Sequence, residues 1–269
     1  MYLYIIMMQL RQTQKVISID SSSRSSGTPS NFDVSVDMPQ SNAFNKASCM
    51  MAEIPKSYYT LPDQTITANR LRIYLSSTAI GTVLVGAIDG ARMHDASTFA
   101  AALSTELTVL IATLSCAYDT TLGKIVFTDT ALDFDIQITQ TGAVADWVED
   151  LAAKYTGFNL GTLYSATLTG GTTHVLIPPN MSNVQRYDAL YVTSSVTSNN
   201  NDDVLITIYP SKFPNLSLIS YTAPDTDSNS VNVTNSNTNN IHFTLRDRYG
   251  IPVDLNGVDM RLVVTFYNE

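Results

Sequence analysis

Ile241, Phe243 and Leu245 alternate with His242, Thr244 and Arg246, and further on Met260, Leu262, Val264 and Phe266 alternate with Arg261, Val263 and Thr265. A period of two marks strands with one buried face. Between the two runs Asp247-Arg248-Tyr249-Gly250 breaks the pattern, and Asn256-Gly257 supplies the residue pair best able to adopt φ > 0 in a tight turn. A stretch given over to one-sided strands, with no reactive cluster among them, reads as a structural β module.

The same pattern opens the chain. Ile17 and Ile19 begin a short strand, and residues 21–30 form a Ser-rich turn with Gly27 and Pro29. Phe32, Val34, Val36 and Met38 then alternate with Asp33, Ser35 and Asp37 up to Pro39. Residues 47–54 are a near-continuous apolar run, as in a strand buried on both faces. Leu71, Ile73 and Leu75 alternate with Arg72 and Tyr74, and later strands are expected at 175–177, 190–193 and 204–209. Loops rich in Asn and Ser separate them, above all 226–240.

The middle changes period. Phe99, Leu103, Leu107, Leu110 and Leu114 share one helical stripe behind Asp95 and Ser97 as N-cap candidates. Residues 124–128, and Phe134, Ile136 and Ile138 alternating with Asp133, Asp135 and Gln137, predict strands. A second helix carries Val144, Trp147, Val148, Leu151 and Tyr155 on one face and ends at Gly157. Its acids (Asp146, Glu149, Asp150) come early and Lys154 late, as the helix dipole favours. No Pro-rich linker isolates this segment, so it reads as an insertion. The expected organisation is an N-terminal arm over 1–16, a sandwich built from 17–79 and 166–269, and an inserted α+β subdomain over 80–165. About eight short strands split by one insertion predict a mainly β chain folded as a two-sheet β-sandwich. Among sandwiches the jelly roll is favoured, by association with capsid and lectin domains.

Only 14% of the 269 residues are charged, against about 25% in an ordinary soluble domain. Ser, Thr and Asn take their place and suit strand faces and turns. So thinly charged a surface suits a subunit covered by neighbours better than a free monomer. The net charge of −9 and pI near 4.6 argue against nucleic-acid binding, which rewards clustered Lys and Arg. The densest basic spots, Arg70/Arg72 and Arg246/Arg248, read as ordinary polar-face positions. The apolar run 1–8 is shorter than the about 20 residues a bilayer span takes, so no transmembrane segment is expected. It also lacks the basic region and cleavage site of a signal peptide. It reads as an arm packing on a neighbour, or as a leader ahead of a start at Met7 or Met8.

Reactive constellations are sparse. His94, His174 and His242 are far apart, without a second His or a Cys at ligand spacing, and read as solvated or structural. Nucleophile-elbow, phosphate-loop and dinucleotide signatures are missing from the sequence. Asp133 and Asp135 share one strand face and read as a solvated pair rather than a glycosidase pair. Asp225-Thr226-Asp227-Ser228-Asn229 imitates half of a calcium loop, but Ser230 replaces its glycine and the closing Glu is missing, so Asp225 and Asp227 read as a polar loop. Asn180, Asn215 and Asn232 begin chance N-x-[ST] matches. Cys49 and Cys116 lie in apolar runs and are expected as buried free thiols. No catalytic, cofactor or metal residue is assigned, and no enzyme activity is expected.

Three segments carry a family resemblance. They are SIDSSSRSSGTPSNFDVSVDMP (18–39), the middle runs TFAAALSTEL, YDTTLGKIVFTD and AAKYTGFN, and RDRYGIPVDLNGVDMRLVVTF near the end. Together these resemble the penton (minor capsid) proteins of virophages, polinton-like viruses and related large DNA viruses of eukaryotes. One departure is Gly90-Ala91-Arg92-Met93, where the family has a Gly-aromatic step. The resemblance implies a single jelly roll forming a homopentamer at the five-fold vertices of an icosahedral capsid, beside major capsid proteins, in the virion. The alternative from another class is a lectin-like or receptor-binding sandwich of a fibre or surface protein, with Tyr58-Tyr59, Tyr164 and Tyr221 as candidate contact aromatics.

Overall fold

The computed structural model describes residues 14–37, 44–60, 69–75, 78–84, 94–140, 152–197, 204–226, 229–233 and 239–268. Strands β1 (Lys15–Asp20), β2 (Ser26–Thr28), β3 (Asn31–Ser35) and β4 (Lys46–Pro55) come first. There follow β5 (Asn69–Leu75), β6 (Thr78–Leu84), helix α1 (Ala96–Leu110), β7 (Leu114–Asp119), β8 (Lys124–Asp129), β9 (Asp135–Gln140), β10 (Leu163–Ser165), β11 (Thr167–Leu168) and β12 (His174–Leu176). The chain closes with β13 (Leu190–Ser194), β14 (Val204–Ile208), β15 (Leu218–Thr222), β16 (Val231–Asn232), β17 (Asn240–Arg246) and β18 (Arg261–Tyr267). It divides into two units, Met1–Tyr58 with Tyr187–Glu269, and Tyr59–Arg186.

The first unit has two antiparallel sheets. One runs β1-β18-β4-β15, with β16 also on β4; the other runs β14-β13-β17-β3-β2. The pairing is nested: β1 with β18, β3 with β17, β4 with β15, β13 with β14. First with last and second with second-to-last is the winding of a jelly roll. The alternation read in the sequence becomes the inter-sheet core: Phe32, Val34, Val36, Ile241, Phe243, Leu245, Leu262, Val264 and Phe266 are all buried in one cluster. Phe32 stacks on Phe243 across the β3–β17 ladder, centroids 5.9 Å apart. Asn256 (φ 52°) and Gly257 (φ 78°) make the expected left-handed turn before β18.

The second unit has sheets β10-β9-β5-β6 and β11-β12-β8-β7. Helix α1 starts in a capping box between Asp95 and Thr98 and buries Phe99, Leu103 and Leu107. Its stripe stops earlier than expected: the helix ends at Leu110, and Leu114 is a buried residue of β7. Residues 152–156 are helical and buried Tyr155 lies in this turn. Gly157 (φ 84°) closes it, its N–H donating to the Ala153 carbonyl at 2.8 Å. Val144, Trp147, Val148 and Leu151 lie outside the described residues, as do residues 1–13 of the expected arm, Met38, Pro39 and the 90–93 step.

One expectation is corrected. Leu71 and Ile73 were assigned to the sandwich, but β5 pairs with β9 (Leu71 opposite Ile138, Ile73 opposite Ile136) and with β6, inside the second unit. The boundaries expected at 79/80 and 165/166 therefore fall at 58/59 and 186/187. Alternation specifies a strand with one buried face; it does not say which sheet receives it.

Candidate assembly surfaces

Three connections of the jelly roll meet at one end. Lys56, just past β4, is buried, and its Nζ donates to the carbonyls of Phe213 (2.6 Å) and Pro210 (3.2 Å) in the β14–β15 connection. Burial pushes its pKa down. Ser57 Oγ donates to the Leu255 carbonyl at 2.6 Å, and Asn256 Nδ2 donates to the Ser57 carbonyl, which ties in the β17–β18 connection. Tyr58 and Tyr187, where the chain leaves and re-enters this unit, meet edge to face at 4.9 Å. These bonds tie three loops together at this end.

On the β1–β18–β4 side of this end lies the Ser-rich turn. Asp20 accepts the Ser22 N–H at 2.9 Å and caps the 3-10 turn Ser21–Ser23. Ser21 is fully buried; its Oγ donates to Asp259 Oδ1 (2.8 Å) and accepts the Met260 N–H (2.9 Å). Arg24 reaches the same Asp259 oxygen at 2.9 Å, and Arg261 bonds Asp20 at 2.8 Å. The Ser22 bonds, then Arg261, hold the Asp20 carboxyl below its ordinary pKa. Glu53 stands opposite Arg261 in the ladder. Asp20, Ser22, Glu53, Leu218, Asp259 and Arg261 line a pocket of about 260 Å³, three carboxylates to one guanidinium.

On the β14–β13–β17 side of the same end sits an aromatic and charged cluster, in which Asp188 and Asp247 accompany Arg246 and Arg248. Register puts Leu190 opposite Ile208 and Tyr191 opposite Arg246, so the start of β13 and the ends of β14 and β17 are neighbours. The Arg248 guanidinium lies 4.7 Å from the centroid of the Tyr249 ring, donates to the Tyr249 hydroxyl and stands 3.9 Å from Asp188. Tyr209 is 60% exposed and Tyr249 42%. Asp247 accepts the N–H groups of Tyr249 (2.9 Å) and Ile251 (3.0 Å), fixing the turn that presents both side chains. From sequence, Arg246 and Arg248 read as ordinary polar-face positions; what the sequence does not show is that Asp188, Tyr209 and Tyr249 come to the same end of the sheet.

The residues singled out from the sequence do not converge. His94 is buried, its ring edge-on to Phe99. His174 Nδ1 lies 3.4 Å from Asp133 Oδ1 in the second unit. His242 Nδ1 contacts Asp33 Oδ1 at 2.9 Å, and its Nε2 lies 3.0 Å from Thr244 Oγ1. This acid–imidazole–hydroxyl series is not set up for nucleophilic catalysis, because the Thr244 hydroxyl donates to Asn31 Oδ1 (3.0 Å). Ser26 foremost, then His242, hold the Asp33 carboxyl below its ordinary pKa. Asp225 lies just past β15 and Asp227 outside the described residues, among which no three His, Cys, Asp or Glu side chains gather as a metal set. Tyr58 is buried, Tyr221 packs against the first unit's core, and Tyr164 lies 5.1 Å from Phe158 in the second unit, so these three are packing residues, while Tyr59 is half-buried. Cys49 and Cys116 are buried free thiols in different units, as expected.

The fold is a single jelly roll with a large α+β unit inserted between β4 and β13, and as a whole it is penton-like. The mavirus penton protein, known from its crystal structure, superposes with a TM-score of 0.57 at 11% sequence identity, over 95% of this chain and 99% of that one. No protein-family model and no curated protein sequence matches the chain.

Proposed function

We propose that this chain is a structural subunit of a viral capsid: a penton that closes the five-fold vertices of an icosahedral shell as a homopentamer, contacts neighbouring major capsid proteins and resides in the virion. The observation that carries this reading is the extent of the shared fold. A jelly roll alone would be weak support, since it hosts many functions. Here the likeness to the mavirus penton protein takes in 95% of the chain, inserted unit included. The thin surface charge supports it as well, because a ring of subunits covers Ser/Thr/Asn faces that a monomer would expose. No catalytic step and no nucleic-acid contact is assigned to it. Native mass spectrometry of the purified chain is the test: a five-subunit species is the expected result, and a strict monomer at high micromolar concentration would overturn the reading.

A further inference from the structure

We propose that Asn256 is a gated deamidation site: the bonds at the jelly-roll end protect its side-chain amide, and once that end opens the amide is lost and the bonds cannot be remade. Asn256-Gly257 is the one Asn-Gly pair in the sequence. Glycine carries no Cβ to shield its nitrogen, so the Gly257 nitrogen can attack Cγ of Asn256. The N–Cγ bond forms, the Cγ–Nδ2 bond breaks, and the Gly257 N–H proton leaves with the amino group as ammonia. A five-membered imide remains. Water then adds to either imide carbonyl and opens the ring to aspartate or isoaspartate. Water is the only co-reactant, and nothing is oxidised or reduced.

The folded geometry holds this reaction off. Both φ values are positive (52° and 78°), and the Val258 N–H donates to the Leu255 carbonyl at 3.0 Å, so residues 255–258 form a type I′ turn. In such a turn the Gly257 nitrogen lies nearly anti to the Asn256 Cβ about the Cα–C bond, out of reach of Cγ. Attack requires rotation about that bond, and the surroundings resist it. The Leu255 carbonyl that closes the turn also accepts the Ser57 hydroxyl at 2.6 Å. The Asn256 N–H donates to Asp254 Oδ1 at 2.8 Å, and Asn256 Nδ2 donates to the Ser57 carbonyl. The same bonds make the conversion one-way. A carboxylate at position 256 has no hydrogen to offer the Ser57 carbonyl, and it adds a negative charge beside Asp254. Isoaspartate lengthens the main chain by a methylene and cannot close the same turn. Either product unties the β17–β18 connection from the end of β4.

The test follows the full chain at mildly alkaline pH by peptide mapping and mass spectrometry, which separate the amide, aspartate and isoaspartate forms at position 256. Conversion should be at least about tenfold faster in urea-unfolded chain than in folded chain, because the folded rate tracks the population of the opened turn. Ser57→Ala removes the hydroxyl bond to Leu255 and leaves the Asn256 amide untouched. It should speed conversion of the folded chain at least about twofold, the effect of one hydrogen bond on the opening equilibrium, with the unfolded rate unchanged. Sub-denaturing urea applies the same test to the wild type, whose conversion should rise before the global transition seen by circular dichroism. Asn256→Asp should lower the urea midpoint. Equal rates in folded and unfolded wild type would overturn the inference. So would a folded Ser57→Ala chain that converts no faster than wild type, a rate that stays flat until global unfolding, or an unchanged midpoint for Asn256→Asp. These readouts do not depend on oligomeric state, so their failure leaves the penton reading standing.

Discussion

Phe243 is the side chain on which the two-sheet core can be tested most directly. It is fully buried, stacks on Phe32 at 5.9 Å, and stands in the ladder between Phe32 of β3 and Ser194 of β13. Phe243→Ala removes a whole ring from a packed interior, and cavities of that kind cost about 3–5 kcal/mol. Of this the ring–ring contact with Phe32 accounts for about 0.5–1.5 kcal/mol. In a unit of this size each kcal/mol moves the melting midpoint by roughly 2–8 °C, so a fall of about 6 °C or more is expected. Urea unfolding followed by circular dichroism gives the free energy, and Val16→Ala, at an exposed position of β1, serves as a control that should change stability by less than about 0.5 kcal/mol. A loss below about 1 kcal/mol for Phe243→Ala would refute the inward phasing of β17 and the nested pairing built on it.

Ser21→Ala should cost about 1–3 kcal/mol in urea unfolding, because it strands the Met260 N–H and leaves Asp259 short of a donor; an unchanged midpoint would show that water replaces the hydroxyl. Asp20, Asp33 and Asp95 have folded pKa values below their unfolded ones, held foremost by Ser22, Ser26 and the Thr98 N–H respectively. Their contribution is therefore complete above the unfolded carboxyl value of about 3.9 and is lost as pH falls through the folded values, so the urea midpoint should hold from pH 7 to 5 and drop below about pH 4. Burial pushes the Cys49 and Cys116 thiols up to about 12, so neither should react with a thiol reagent at pH 8 until the protein unfolds, and rapid labelling of the native chain would contradict their burial. Replacing 59–186 with a short Gly/Ser bridge should leave the jelly roll folded by circular dichroism, since Tyr58 and Tyr187 already touch. Replacing 80–165 should not, because β5 would lose β9 and most of β6 and be left attached to the jelly roll as an unpaired strand.

The two deletions differ because of what a single sequence encodes and what it leaves open. Phe32, Val34, Phe243, Leu245, Leu262 and Val264 were legible as core because alternation sets which face is buried, and burial is a local property of each strand. The start of α1 at Asp95 and the turn at Gly157 were legible for a similar reason, since capping is settled within a few residues. Sheet membership is settled by partners far away: Leu71 looks the same whether its neighbour is Ile138 or a sandwich strand. The short strands β2, β10, β11 and β16 owe their existence to the partner strand more than to their own residues, and gave no period to read. The assembly surfaces lie wholly in this second category. Arg24 and Asp259 are 235 positions apart, and Asp188, Tyr209 and Tyr249 come from the ends of three different strands. The composition of the Ser-rich turn has a physical reason: Asp20 caps it, buried Ser21 anchors it to Asp259, and Arg24 neutralises that aspartate, so each of these three residues has a partner in the segment leading into β18 or in the turn itself. The segment read from sequence as a Ser-rich turn is in fact the clamp between the first and last strands of the jelly roll.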